Sequence, residues 1–283
     1  MTSRSIIALA LVLPACIYAQ GGRGGRGGPA PVAKVAAPID VTGYWTAVIT
    51  EDWHERMLTA PKGDFGSGTP GATAGFGGTR STEANPSAGG NIPYNKAGTE
   101  LAMKWDPAKD EADANQCKAY GAPGVMRQPT HLHITWQDDN TLKVETDQGT
   151  QTRILHFAPP PAQGQTATKL EAPAGEQPSW QGYSVAEWII QGGRGDWARG
   201  GNLKVVTTHL KPGYYWKNGM PYGGSLVLTE HFRVMKEANG DEWLAMSQMA
   251  EDPQYLNEPW IITYQFKKMA DGSKWNPTPC AAK

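Results

Sequence analysis

The sequence predicts an all-β protein whose strands close into an antiparallel barrel, with a two-sheet β-sandwich as the alternative architecture. Three observations lead there. Nine segments carry strand character, several of them with one apolar and one polar face. Turn dipeptides such as Asn218-Gly219, Asn239-Gly240 and Asp271-Gly272 separate β-rich runs. The alternating strand and helix units of a doubly wound sheet are missing.

The chain opens on Arg4, a short apolar core from Ile6 to Leu13, and Ile17-Tyr18-Ala19. This is the pattern of a secretory signal peptide, residues 1–19, cut after Ala19. It is too short for a transmembrane span, and no other segment is apolar enough for one. Leu13-Pro14-Ala15-Cys16 carries a competing reading, a lipoprotein box with Cys16 as a lipidated anchor. Residues 20–38 contain Gly21-Gly22-Arg23-Gly24-Gly25-Arg26-Gly27-Gly28, and such a segment is expected to be a disordered linker. Residues 39–283 then form one domain.

Its first strand is Thr42 to Trp53, in which Trp45, Ala47, Ile49, Glu51 and Trp53 share a face. Residues 62–90 are rich in Gly, Ser, Thr and Ala without periodicity and read as a disordered insert or a lid. A helical insert, residues 95–121, follows. Leu101 and Trp105 are one helical turn apart, Asp106-Pro107 is an N-cap with proline at the first helical position, and Gly121 is a C-terminal stop. The remaining strands are His131 to Trp136, Thr141 to Thr146, Thr150 to Phe157, Trp180 to Trp188, Leu203 to Leu210, Ser225 to Met235, Trp243 to Ala250 and Trp260 to Lys268. Ala158 to Pro178 is a Pro/Ala/Gln-rich surface loop.

Composition excludes more than it assigns. The formal net charge is -1 with Lys and Arg scattered, so nucleic acid and anionic membrane are poor partners. The chain has 11 Trp against 5 Phe, a bias that suits cavity walls and β-cores alike. If Cys16 leaves with the signal, Cys117 and Cys280 remain, and in an oxidising compartment they pair most simply as one disulfide.

Gly43-Tyr44-Trp45 resembles the G-x-W that opens a lipocalin/calycin-type barrel, in which the Trp plugs one end. More widely, Thr42-Gly-Tyr-Trp45 through Glu51-Asp52-Trp53, Trp180-Gln-Gly-Tyr-Ser-Val-Ala-Glu-Trp188, Leu228-Thr-Glu-His-Phe-Arg233 and Glu251-Asp-Pro-Gln-Tyr255 through Pro259-Trp260 resemble an exported bacterial family of uncharacterised proteins. The likeness spans most of residues 40–280 and implies a lipocalin-like barrel without implying a chemistry. No Arg stands on the last strand to stack on the first-strand Trp; Lys267 or Lys268 is the cation able to replace it.

Several constellations are candidates for chemistry. His131-Leu132-His133 places two imidazoles on one strand face, able to hold zinc or copper if a third ligand converges. The competing reading has both facing solvent while Leu132, Ile134 and Trp136 face the core. Glu51 on an inward face would be a desolvated carboxylate, a candidate general acid or base, unless it emerges into solvent against Arg56. Glu230 shares a face with Leu226, Leu228 and Phe232, with His231 on the other. Near Glu51, Glu230 would suggest a catalytic pocket; against Arg153 or His209 it would be a structural pair. Nucleophile-elbow, zincin and nucleotide-loop motifs are missing, so no cofactor is expected.

The leading functional reading is a secreted or periplasmic barrel that holds a small apolar or aromatic molecule, with Trp45, Ile49, Trp53, Trp188 and His209 as candidate ligand contacts. Two others stand beside it. One is a cofactor-independent isomerase, lyase or hydrolase using Glu51 or Glu230 with a His, the candidates being Glu51, Glu230 and His231. The other is a structural or surface-interaction protein.

Overall fold

The fold is taken from a computed structural model, which describes residues 30–48, 62, 92–162, 165–166, 169–191 and 200–283. Nine strands close into a barrel: β1 (Gly43–Val48), β2 (His131–Asp138), β3 (Thr141–Thr146), β4 (Gln151–Phe157), β5 (Tyr183–Gln191), β6 (Gly200–Thr208), β9 (Val227–Lys236), β10 (Glu242–Glu251) and β11 (Trp260–Met269). Their order around the barrel is β1-β11-β10-β9-β6-β5-β4-β3-β2. Each matches one of the nine segments read from the sequence, although the described part of the first ends at Val48. Closure excludes the sandwich and leaves the nine-stranded sheet itself without an open edge.

Two features depart from a simple antiparallel meander. β4 and β5 pair in parallel, through Leu155↔Ser184, His156↔Val185 and Phe157↔Ala186. The chain therefore returns toward the start of β4 before β5 begins, and the two strands run the same way. Between β6 and β9 the chain makes a separate two-stranded hairpin, β7 (Gly213–Trp216) and β8 (Met220–Tyr222). It turns at Asn218-Gly219, where Gly219 has φ +81° and a Cβ would stand 2.1 Å from the Trp105 ring. Only glycine combines that backbone with that clearance.

Each end of the barrel is covered. At the end where β1 begins, residues 30–42 form a strap with one helical turn, α1 (Ala33–Ala36). Lys34 N donates to Asp139 O at 3.0 Å, Ala33 N to Asn140 Oδ1 at 3.0 Å, and Trp188 Nε1 to Ala33 O at 2.8 Å. The linker reading of residues 20–38 is therefore corrected for residues 30–38. Val32, Ala33, Ile39 and Val41 give this stretch enough apolar surface to dock across the β2–β3 turn and β5, and Ala33 and Val41 are buried. Residues 20–29 lie outside the described residues, as do residues 1–19 with Cys16 and, Lys62 apart, the insert 62–90.

At the other end stand α2 (Lys96–Ala102), α3 (Pro107–Ala112), a 3-10 turn (Gln116–Tyr120), α4 (Ala122–Val125) and the β7–β8 hairpin. Asp106 caps α3 as expected, accepting from Ala108 N at 3.1 Å and Lys109 N at 3.4 Å. Val125 and Met126 enter the same core as Trp45, and Pro123 O accepts from Gln248 Nε2 at 2.9 Å. The insert thus closes this end of the barrel.

The Cys117–Cys280 disulfide forms, with Cα atoms 5.1 Å apart. It fastens the C-terminal tail, which lies along the outer face of β1–β3. Thr278 N donates to Asp147 O at 2.9 Å and Asn276 N to Asp147 Oδ2 at 3.2 Å. Such a bond is compatible with an oxidising compartment. Among the described residues no helix is long and apolar enough to cross a membrane.

Candidate functional site

Alternation along each strand decides what lines the barrel. Trp45, Leu132, Ile134, Leu142, Val144, Leu155, Phe157, Ala186, Leu203, Val205, Phe232, Leu244, Met246 and Phe266 point inward and form one apolar cluster. Trp45 is fully buried beneath the strap. Its Nε1 donates to Val41 O at 2.9 Å, which satisfies its only polar atom. Lys268 Nζ, on the last strand, lies 5.1 Å from its ring centroid, so Lys268 is the cation that meets this Trp.

Below that cluster the barrel carries a polar layer. Arg153 and Glu230, 1% and 0% exposed, face each other across the lumen. Nη1 donates to Oε1 at 2.9 Å and Nη2 to Oε2 at 2.5 Å. Nη2 also donates to Thr207 Oγ1 at 3.4 Å, and Thr207 and Ser184 share a hydroxyl hydrogen bond at 2.7 Å. Both carboxylate oxygens of Glu230 are engaged by one guanidinium. The structural pairing with Arg153 is the one formed. The partnership of Glu230 with His231 as an acid and base is not: neighbours on a strand face opposite ways. His231 is exposed on the outer surface, its Nδ1 2.9 Å from Asn202 Oδ1. Partial desolvation of the ring against the sheet, with the Lys204 charge beside it, holds its pKa below the usual histidine range. Glu51 lies outside the described residues.

His131 and His133 sit on the outer face of β2, with Leu132 and Ile134 in the core. They do not converge on a common point. His131 Nδ1 is 2.6 Å from Asp147 Oδ2. His133 Nδ1 is 3.3 Å from Glu145 Oε2, and its ring stacks on Tyr44 at 4.1 Å. Among the described residues no group of three or more His, Cys, Asp or Glu side chains is placed to hold a metal ion. Asp147 is buried, which by itself would raise its pKa. Hydrogen bonds from the His131 ring, the backbone N–H groups of His131 and Asn276, and the Thr130 hydroxyl outweigh this and hold the carboxyl below the usual range.

Of the proposed ligand contacts, Ile49 and Trp53 lie outside the described residues. His209 is exposed at the end of β6, with φ 56° and its Nδ1 3.0 Å from Thr208 Oγ1. Trp188 pairs with Leu203 at the other end of that ladder. The two therefore belong to opposite ends of the barrel.

Trp188 instead shares a cleft with Trp136. The cleft has a volume of about 440 Å³ and lies between the strap and the rims of β2 and β5. Its floor and walls are Trp136, Trp188, Pro38, Ile39 and Val41, with Lys34 and Asp40 at its edge. Trp136 and Trp188 are half-buried, their ring centroids 6.5 Å apart, and Phe157 packs 5.4 Å behind Trp188. The strap residues of this cleft were missed from sequence. Their signal in the chain is the alternation Ile39, Val41 leading into β1, masked by the Gly-rich run before it. Comparison of the chain with known protein families, curated proteins and solved structures returns no match.

Proposed function

We propose that the protein is an exported barrel that holds one small apolar or aromatic molecule in the cleft between its N-terminal strap and Trp136 and Trp188. The observation that carries this reading is the pair of half-exposed indole rings in a cleft of about 440 Å³. That volume falls within the ~300–1,000 Å³ of small-molecule sites. The Trp188 N–H is already satisfied by the strap, so what this side chain adds to a ligand is apolar ring surface. Lys34 and Asp40 at the rim suit a ligand with one polar end.

The experiment is intrinsic fluorescence titration of the mature, disulfide-bonded protein with 1-naphthol as the probe. Trp136→Ala should weaken binding about tenfold while the thermal midpoint stays near that of the parent, because Trp136 is half-exposed. Failure of any saturable binding, or binding by both Trp136→Ala and Trp188→Phe as tight as the parent's, overturns the assignment of the cleft. Export is tested separately: the mature N-terminus should be Gln20, and a lipidated Cys16 would make the protein membrane-anchored instead.

A further inference from the structure

Outside the barrel, in the cap, a second cleft of about 240 Å³ lies between α2 with the segment after it and the β7–β8 hairpin. We infer that this is a separate binding site and that it takes a small planar organic anion, a single-ring aromatic carboxylate.

Its walls are apolar and flat. Trp105 closes one side, and Tyr214 and Pro221 the other. The volume is below the ~300 Å³ at which drug-sized pockets begin, so one ring fits and two do not. Three donors give the cleft its sign. Lys104 is exposed at the rim and forms no salt bridge among the described residues. Tyr222 is 1% exposed, yet its hydroxyl has no hydrogen-bond partner among the described residues. That oxygen lies between Gly121 and Gly213, where a Cβ on either would be within 2.5 Å of it, and Gly213 is itself part of the cleft wall. Trp105 is 8% exposed, and its Nε1 also lacks a partner among the described residues.

The fourth polar group is already neutralised. Lys118 Nζ contacts Asp110 Oδ1 at 2.6 Å, and Asp110 Oδ2 accepts from the Tyr214 hydroxyl at 2.9 Å. Asp110 therefore contributes no uncompensated negative charge to the cleft. What remains is an ammonium and two buried donors in want of an acceptor, against aromatic walls. Other buried side-chain donors in the described residues are also without partners; these two are the ones on residues that line this cleft, where an acceptor from outside can complete the bond. A neutral hydrocarbon ring would leave both unmet, and a cation would be repelled by Lys104. A carboxylate on a ring supplies acceptor oxygens, negative charge and a flat apolar body together.

The test uses the full mature protein with its disulfide intact and sodium benzoate as the probe, with benzyl alcohol as the neutral control. Binding is followed by NMR on the Trp105 indole N–H resonance, assigned by Trp105→Phe. The expected result is a saturable shift of that resonance with benzoate, with benzyl alcohol at least about tenfold weaker. Lys104→Met and Tyr222→Phe should each weaken benzoate about tenfold, and Trp136→Ala should leave it unchanged. Tyr222→Phe removes only an oxygen without a partner, so folding should survive it; Lys104→Met at the surface is the safeguard. The inference is overturned if benzoate causes no saturable shift, if benzyl alcohol binds equally well, if both donor variants bind benzoate as the parent does, or if Trp136→Ala abolishes the binding.

Discussion

Cutting one partner from the Arg153–Glu230 pair is the sharpest perturbation of the barrel interior. Both side chains are essentially fully buried, and their bidentate contact supplies most of the hydrogen bonding either ion has. Glu230→Ala would leave a guanidinium in the lumen with one long contact, to Thr207 at 3.4 Å. A buried charge stripped of its partner costs about 3–5 kcal/mol. For a chain of this size each kcal/mol moves the melting point by ~2–4 °C, so the midpoint should fall by about 6–20 °C. Arg153→Met should do the same, leaving the carboxylate alone. The double variant Arg153→Met with Glu230→Leu removes both desolvation penalties. It should melt near the parent or up to about 4 kcal/mol more stable. The assay is calorimetric unfolding at pH 7 of the four proteins, oxidised throughout. Single variants melting within about 2 °C of the parent would refute the reasoning. So would a double variant destabilised by the sum of the two singles, because the two groups would then be independent. The same series separates structure from catalysis: a catalytic Glu230 would lose activity on Glu230→Gln with its stability largely kept.

Three further outcomes are expected. Trp45→Ala should cost about 3–5 kcal/mol, read by urea unfolding, because it empties the fully buried plug beneath the strap; a loss under about 1 kcal/mol would mean the strap collapses into the space. Cys280→Ser opens a link between residues 163 positions apart, which the chain-entropy relation puts at up to about 5 kcal/mol; proteolysis should then begin in the released tail, and an unchanged cleavage pattern would show that Asp147 and Gln148 hold the tail without the bond. Asp147 has a folded-state pKa below its unfolded value, so its contribution is complete above the unfolded carboxyl pKa and is lost as pH falls through the lowered one. Asp147→Asn should accordingly flatten the acid limb of a stability-versus-pH curve measured by urea unfolding between pH 7 and pH 2.5, and a variant curve parallel to the parent's throughout would exclude that role.

The nine barrel strands and the Cys117–Cys280 bond were legible in the one-dimensional chain. Strand character is written with a period of two, and once Cys16 is assigned to the leader the other two cysteines have one way to pair. The same alternation correctly separated Glu230 from His231, and His131 and His133 from Leu132 and Ile134. It could not say what stands across a lumen, because that depends on closure. Arg153 and Glu230 are 77 residues apart, and only the order of β4, β5, β6 and β9 around the barrel brings them together. Nor could it locate the clefts. The strap at Ala33–Ala36 has too few residues to signal a helix by periodicity, and its conformation comes from Asn140 and Trp188, contributed by distant hairpins. The parallel β4–β5 pair was hidden for a related reason: a Pro-rich link announces its length but not the direction in which it delivers the next strand. Local pattern is set by side-chain periodicity along the chain. The two clefts and the buried ion pair are set by long-range closure, whose free energy resides in contacts between segments that share no local signal.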